Sequence, residues 1–133
     1  MPAETITSEL IYVLDDEPSV LKSIGRLLAS EGFQFRTFSD PGSLLASLEG
    51  HTVPVVIMDV WMDKITGLEI QAKLSHLSPQ TRVIIMTARN DHGVRQTALD
   101  LGATAFFVKP FDDEEFIRAV RASLAASRLE IKP

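Results

Sequence analysis

Five short apolar runs alternate with five segments of helical periodicity, and this alternation constrains the fold more than any other feature of the sequence. Each run has the length of a strand and is rich in β-branched or aromatic residues. The runs are Leu10–Leu14, Phe33–Phe38, Val53–Met58, Arg82–Met86 and Ala105–Val108. Because near-continuous apolar runs are typical of strands buried on both faces, they predict a parallel sheet.

The segments between the runs carry start signals for helices. Pro18 opens the first, and the pair Asp40-Pro41 combines a capping residue with a proline in the first helical turn. The stretches 66–69 (Thr-Gly-Leu-Glu) and 112–115 (Asp-Asp-Glu-Glu) have the spacing of a capping box. Right-handed crossovers build such a (βα)5 chain into a doubly wound α/β domain with helices on both faces.

Composition supports one soluble domain and excludes several functions. The chain has 133 residues, of which 45% are hydrophobic, and single domains run to roughly 100–200 residues. The absence of cysteine excludes disulfide scaffolds, thiolate zinc sites and cysteine nucleophiles. With 13 basic and 18 acidic residues the net charge is -5, the wrong sign for gripping nucleic acid phosphates. We therefore expect no direct DNA binding by this chain.

The first ten residues lack the basic and apolar segments of a signal peptide. No apolar stretch approaches the roughly 18 residues of a membrane span. The sequence thus predicts a cytoplasmic protein without a membrane partner.

Polar residues follow four of the five predicted strands. Asp15 and Asp16 follow the first, Asp59 the third, Thr87 the fourth and Lys109 the fifth. Ligands of doubly wound sheets bind outside the carboxyl ends of the strands, and adjacent strands lie about 4.8 Å apart. If the first and third strands are neighbours, the carboxylates share one pocket, and their hard oxygen ligands predict magnesium.

The charges at this edge favour phosphoryl chemistry. Three carboxylates and one divalent cation leave a net charge of -1, which Lys109 neutralises. The cation and Lys109 can offset charge on phosphoryl oxygens, while Thr87 can donate a hydrogen bond to one of them. Asp59 is the best candidate nucleophile because it belongs to the middle strand, between the other carboxylates and the Thr87–Lys109 pair.

The motifs that carry these residues resemble the receiver domain of two-component response regulators. Within this family they look like the FixJ-type nitrogen-fixation regulators. They are the stretches 12–17, 56–62, 66–67, 85–88 and 102–111. The resemblance covers residues 8–128, with an N-terminal extension at 1–7 and a C-terminal tail at 129–133. It implies the strand order 2-1-3-4-5. A stand-alone receiver and the receiver of a longer regulator are both compatible with the sequence.

The resemblance also implies individual roles. Asp59 is expected to be the phospho-acceptor, modified by a sensor histidine kinase or a phosphotransfer protein. Asp16 resembles the direct magnesium ligand, Asp15 its outer-shell partner, and the backbone carbonyl of Trp61 a further ligand. The domain is expected to be no enzyme beyond its own phosphoryl transfer and autodephosphorylation.

Four residues are expected to act once the phosphoryl group is present. Thr87 and Phe106 match the switch pair of the family, and the expected readout is the face of the fourth helix, fifth strand and fifth helix, used for partner binding or a phosphorylation-dependent homodimer. Trp61 is predicted either to shield the phosphoryl group from water or to be an aromatic at a partner surface. Arg89 is predicted either to reach the phosphoryl oxygens or to pair with a surface carboxylate.

Two residues depart from the family pattern. Asp63 follows Met62 where the family usually has proline, which removes a backbone restraint and adds a nearby carboxylate. Phe106 lacks the hydroxyl of the commoner tyrosine, so a switch at this position must be steric.

Three other functions compete with the receiver interpretation. A haloacid-dehalogenase-like phosphohydrolase uses an aspartyl nucleophile but carries a second aspartate two residues later, where this chain has Trp61. A flavodoxin-like electron carrier needs a phosphate loop after the first strand, where the acidic residues 15–17 would repel phosphate. A phosphate-independent interaction domain with the same fold stays open, since Asp63 alters the acceptor loop.

Overall fold

The computed structural model describes residues 10–49, 52–62 and 66–131, with side chains described as far as residue 126. The predicted extension at 1–7 and Asp63 lie outside the described residues, as does part of the predicted tail at 129–133. Strands and helices alternate along the chain: β1 (Leu10–Leu14), α1 (Pro18–Ser30), β2 (Gln34–Phe38), α2 (Pro41–Ser47), β3 (Val55–Asp59), α3 (Gly67–Leu77), β4 (Arg82–Thr87), α4 (His92–Asp100), β5 (Ala105–Val108) and α5 (Asp113–Ile131).

The five strands form one parallel sheet in the order β2-β1-β3-β4-β5, as predicted. The register aligns Leu14 with Met58 and Asp59 with Met86. Because β1 and β3 are neighbours, the residues at their carboxyl ends meet at the same edge of the sheet.

Alternate residues of the central strands supply two separate apolar cores. One core packs against α1 and α5 and includes Ile57 of β3 with Leu28 and Phe116 of the helices. The other packs against α2, α3 and α4 and includes Met58 of β3 with Ile70. This division follows from the two-residue period of a strand, and it confirms the doubly wound fold.

The helix signals that were read from the sequence have structural counterparts. The Asp40 side chain accepts a hydrogen bond from the Ser43 amide, and the Thr66 capping box is complete. Asp112 Oδ1 accepts from the Glu114 amide at 3.0 Å. The start of α4 was not predicted: Asp91 caps it by accepting from the Val94 amide.

Two features of the strands differ from the predictions. β2 is an edge strand whose Gln34, Arg36 and Thr37 are exposed, so it is not buried on both faces as its apolar run suggested. β3 begins at Val55 rather than Val53, because the intervening Pro54 has no amide hydrogen for the sheet.

Candidate functional site

The carboxyl edge of the sheet collects the polar residues that the sequence placed at the strand ends. Asp15 follows β1, Lys109 follows β5, and Asp59 and Thr87 are the last residues of β3 and β4. Asp59 and Thr87 thus lie inside the strands that they were expected to follow. Asp15 and Thr87 are completely buried, and Asp59 is 5% exposed.

Lys109 bridges the two buried carboxylates. Its Nζ atom lies 3.3 Å from Asp15 Oδ2 and 3.4 Å from Asp59 Oδ2. The other oxygen of each carboxylate accepts a backbone hydrogen bond: Asp15 Oδ1 from the Glu17 amide at 2.9 Å, and Asp59 Oδ1 from the Trp61 amide at 3.2 Å. Both carboxylates are therefore held in fixed orientations, facing the same cation.

The environment of Asp59 raises the pKa of its carboxyl group above the ordinary value. Burial is the largest cause, because it penalises the charged form, and the Asp15 carboxylate adds to the increase. The Lys109 ammonium and the Trp61 amide act in the opposite direction. The ionised site thus carries a residual electrostatic strain that additional positive charge would relieve.

The loop after Asp59 is anchored by the first turn of α3. The Gly67 amide donates to the Val60 carbonyl at 2.7 Å, and a Cβ atom on Gly67 would lie 2.3 Å from the Asp59 carbonyl oxygen. Only glycine permits this close approach. The Thr66-Gly67 pair is part of the sequence motifs, but this contact was not predicted from it; a glycine directly after a helix cap was the available signal.

Thr87 and Phe106 share one face of the sheet. Phe106 pairs with Ile85 in the parallel register, and Thr87 lies two residues further along β4, so both point toward the core that contains Ile85. Thr87 Oγ1 accepts a hydrogen bond from the Arg89 amide at 3.1 Å. The guanidinium of Arg95 lies 5.3 Å from the centre of the partly buried Phe106 ring.

Trp61 and Arg89 meet at the rim of the site. The Arg89 guanidinium carbon lies 4.6 Å from the centre of the Trp61 ring, within the range of a cation–π contact. Separate roles were predicted for these two residues, and the contact between them was not. It fixes the indole on the loop that follows Asp59.

The oxygen donors at this edge fit magnesium. Asp16 is exposed beside the buried pair, and within residues 10–49, 52–62 and 66–126 no three acidic or histidine side chains converge as a metal cage. Magnesium does not require one, because it keeps several water ligands and binds proteins through one or two carboxylates. The raised pKa of Asp59 provides the electrostatic reason for a cation to bind. The ligand set Asp15, Asp16, Asp59 and the Trp61 carbonyl stays a prediction.

The sheet order and the aspartate–lysine edge define a doubly wound α/β domain of the receiver type. A family model described as "Response regulator receiver domain" matches residues 11–121. The chain belongs to this family of two-component systems.

Curated relatives agree with the family. The chain is 33% identical over 117 residues to the response regulator protein TodT of Pseudomonas putida, with 88% of this chain and 52% of the relative aligned. It is 35% identical over 117 residues to the transcriptional regulatory protein FixJ of Azorhizobium caulinodans, covering 88% of this chain and 56% of that one. The chain therefore spans about half the length of the curated relatives it matches.

Solved structures share the fold. A CheY-like response regulator receiver domain protein from Methanospirillum hungatei has a TM-score of 0.85 at 23% identity, with 92% of this chain and 98% of that chain covered. The beryllofluoride-activated NtrC4 receiver domain dimer has a TM-score of 0.83 at 26% identity, with 89% of this chain and 98% of that chain covered.

Across the residues that the structure describes, no helix combines the length and apolarity needed to span a membrane.

Proposed function

We propose that this domain is a phosphorylation switch in which Asp59 accepts a phosphoryl group from a histidine of a sensor kinase or phosphotransfer protein in the cytoplasm. The observation that carries the proposal is the position of Lys109 Nζ, within 3.4 Å of carboxylate oxygens of both Asp59 and Asp15. A cation in this position stabilises negative charge that develops on a phosphoryl group approaching Asp59. Family membership supports the same interpretation.

The transfer step exchanges one bond to phosphorus for another. An oxygen of the ionised Asp59 attacks phosphorus in line, the new O–P bond forms, and the N–P bond breaks with its electron pair returning to the histidine. Lys109 holds Asp59 in its reactive ionised form by opposing the effect of burial on its pKa. Asp16, Asp59 and the Trp61 carbonyl would hold a magnesium ion, with Asp15 in its outer shell, and the ion would supply charge neutralisation at the phosphoryl oxygens.

Thr87 and Phe106 would convert the modification into a change of surface. The Thr87 hydroxyl is buried at the end of β4, next to the acceptor strand, where it can reorient toward a phosphoryl oxygen. Phe106 shares its face of the sheet and is only partly buried, so space that Thr87 vacates is available to the ring. The affected surface is that of α4, β5 and α5, and we propose that it binds a partner or a second copy of the chain.

The rival functions have less support at this site. A phosphohydrolase of the aspartyl type needs a general acid two residues after the nucleophile, and the indole N–H of Trp61 is too weak an acid to take that role. A phosphate-independent interaction domain does not need two buried carboxylates oriented on one lysine. Nor does the net charge of -5 favour direct DNA binding by this chain.

The proposal is tested by intact-mass measurement after incubation with acetyl phosphate and magnesium. Wild-type protein is expected to gain the mass of one phosphoryl group, while Asp59→Asn gains none. Asp40→Asn is the matched control, because Asp40 is an exposed helix cap that asparagine replaces equally well. Unmodified wild-type protein, or equal modification of Asp59→Asn, would contradict the proposal.

Trp61 is expected to lengthen the life of the phosphorylated form. The indole, fixed by Arg89 at 4.6 Å, shields the adjacent acceptor from attacking water. A cation–π contact at such a site contributes about 0.5–1 kcal/mol, so Trp61→Ala should accelerate dephosphorylation about two- to fivefold. Decay is followed by mass after removal of the donor, with Trp61→Phe retaining most of the protection. Equal decay of Trp61→Ala and wild type would eliminate the shielding role.

A further inference from the structure

Gln71 is a polar side chain enclosed between two helices. It lies on α3, is 1% exposed, and donates from Nε2 to the Ala98 carbonyl of α4 at 2.9 Å. Its other amide atom, Oε1, is buried and has no hydrogen-bond partner among the residues that the structure describes. A buried polar atom without a partner is unfavourable, so Gln71 gains one bond and forgoes another in this conformation.

The bond from Gln71 is attached to the carboxyl end of α4. Ala98 is followed by the end of the helix at Asp100 and by Gly102, whose φ is 98°. The Ala98 carbonyl also accepts from the Ala103 amide at 3.0 Å. Since a carbonyl oxygen has two lone pairs, losing the Gln71 bond would leave this carbonyl satisfied.

The same helix connects Gln71 to the acceptor loop. Gln71 lies four residues after Gly67, about one turn along α3, and Gly67 is bonded to the Val60 carbonyl just beyond Asp59. A cavity of about 250 Å³ borders Gln71, Leu74 and Gly102 on the far side. The carboxyl end of α4 is thus held in position relative to Asp59 through α3. The cavity next to Gln71 leaves room for the end of α4 to move.

We propose that Gln71 is a releasable latch that holds the carboxyl end of α4 on α3 in the unmodified domain, and that modification of Asp59 releases it. The bond can break at low cost for two reasons. Oε1 makes no hydrogen bond within the described residues that would be lost, and the Ala98 carbonyl still accepts from the Ala103 amide. This inference rests on the proposed function and adds a connection to α4 that runs through α3 rather than through Thr87 and Phe106.

The latch is tested with Gln71→Met, which retains the length of the side chain and removes the amide. Gln96→Met is the matched control, because Gln96 is exposed on α4 and donates a hydrogen bond within its own helix, to Asp100. Hydrogen exchange of amides 98–103 should be about two- to tenfold faster in Gln71→Met, as expected for one lost hydrogen bond. Because the unpartnered Oε1 is also removed, the midpoint of global unfolding should not fall.

Release is measured by the binding of beryllofluoride with magnesium, detected by the fluorescence of Trp61. If the modified state lacks the Gln71 bond, then Gln71→Met binds beryllofluoride about two- to tenfold more tightly than wild type, by reciprocal linkage. Gln96→Met should bind like wild type. An unchanged affinity of Gln71→Met, or unchanged exchange at 98–103, would overturn the latch while leaving the proposed function intact. A wild-type protein that neither responds to beryllofluoride nor gains phosphoryl mass would instead overturn the proposed function, and the release step with it.

Discussion

Replacing Lys109 with methionine is expected to lower the free energy of unfolding by about 2–4 kcal/mol at neutral pH. The substitution removes the cation between Asp15 and Asp59 and leaves two carboxylates facing each other with little solvent. Removing one partner of a fully buried pair costs about 3–5 kcal/mol, and the loss is smaller here because the Lys109 side chain is 20% exposed to solvent. Urea unfolding of the two proteins measures the difference.

The loss of unfolding free energy in Lys109→Met is expected to depend on pH. Burial and Asp15 already raise the folded-state pKa of Asp59 in wild type, and Lys109→Met removes the opposing effect of the ammonium. A carboxyl group whose pKa is higher in the folded state than in the unfolded state destabilises the folded protein. The destabilisation grows as pH rises from the unfolded-state pKa, about 3.9, through the folded-state pKa. Below the unfolded value both states are protonated, so the difference between Lys109→Met and wild type should become small.

Two further variants separate the site from general effects of lysine removal. Lys73 is exposed on α3, so Lys73→Met should change the free energy of unfolding little at any pH. Combining Lys109→Met with Asp59→Asn removes the second buried charge and should recover most of the lost stability. Lys109→Met as stable as wild type at neutral pH would show that the observed 3.3 and 3.4 Å pairs do not stabilise the fold.

The convergence of Asp15, Asp59, Thr87 and Lys109 could be predicted because it depends on topology. Alternating apolar runs and helices indicate a parallel sheet, and carboxyl ends of neighbouring parallel strands share an edge whatever the side chains do. The strand order that makes β1 and β3 neighbours came from the family resemblance, and the structure confirms it. The helix caps at Asp40 and Thr66 could be predicted for a different reason, since capping depends on residues only three apart in the sequence.

Contacts that depend on the paths of side chains between elements could not be predicted. The stacking of Arg89 on Trp61 joins two loops of unrelated sequence. Gln71 would ordinarily be assigned to an exposed helix face, but it is 1% exposed and donates a hydrogen bond to Ala98 of α4. The exposure of β2 depends on its place at the edge of the sheet, because the composition of a strand does not specify how many neighbours cover it.

Gly67→Ala is expected to destabilise the domain by about 2–3 kcal/mol and to slow phosphorylation of Asp59. The added Cβ would lie 2.3 Å from the Asp59 carbonyl oxygen and 2.9 Å from Val60 Cα. Both atoms belong to the backbone, so relief requires α3 to move away from the end of β3. That movement weakens the bond from the Gly67 amide to the Val60 carbonyl and shifts the acceptor relative to Lys109.

Gly93→Ala distinguishes this steric effect from the general effect of alanine in a first helical turn. At Gly93, in the first turn of α4, the nearest atom to an added Cβ is the capping oxygen of Asp91 at 3.3 Å, and a shift of a few tenths of an ångström accommodates it while the bond to the Val94 amide is kept. Alanine has the higher helix propensity, by about 1 kcal/mol, so Gly93→Ala should be neutral or stabilising in urea. If Gly67→Ala behaved like Gly93→Ala in both unfolding and acetyl phosphate labelling, the close packing of α3 on the acceptor strand would not be needed to position Asp59. Loss of stability and of labelling in Gly67→Ala alone would instead show that the lack of a Cβ atom at position 67 is needed to position Asp59. A single added methyl group can affect Asp59 in this way because α3 is in direct backbone contact with the end of β3.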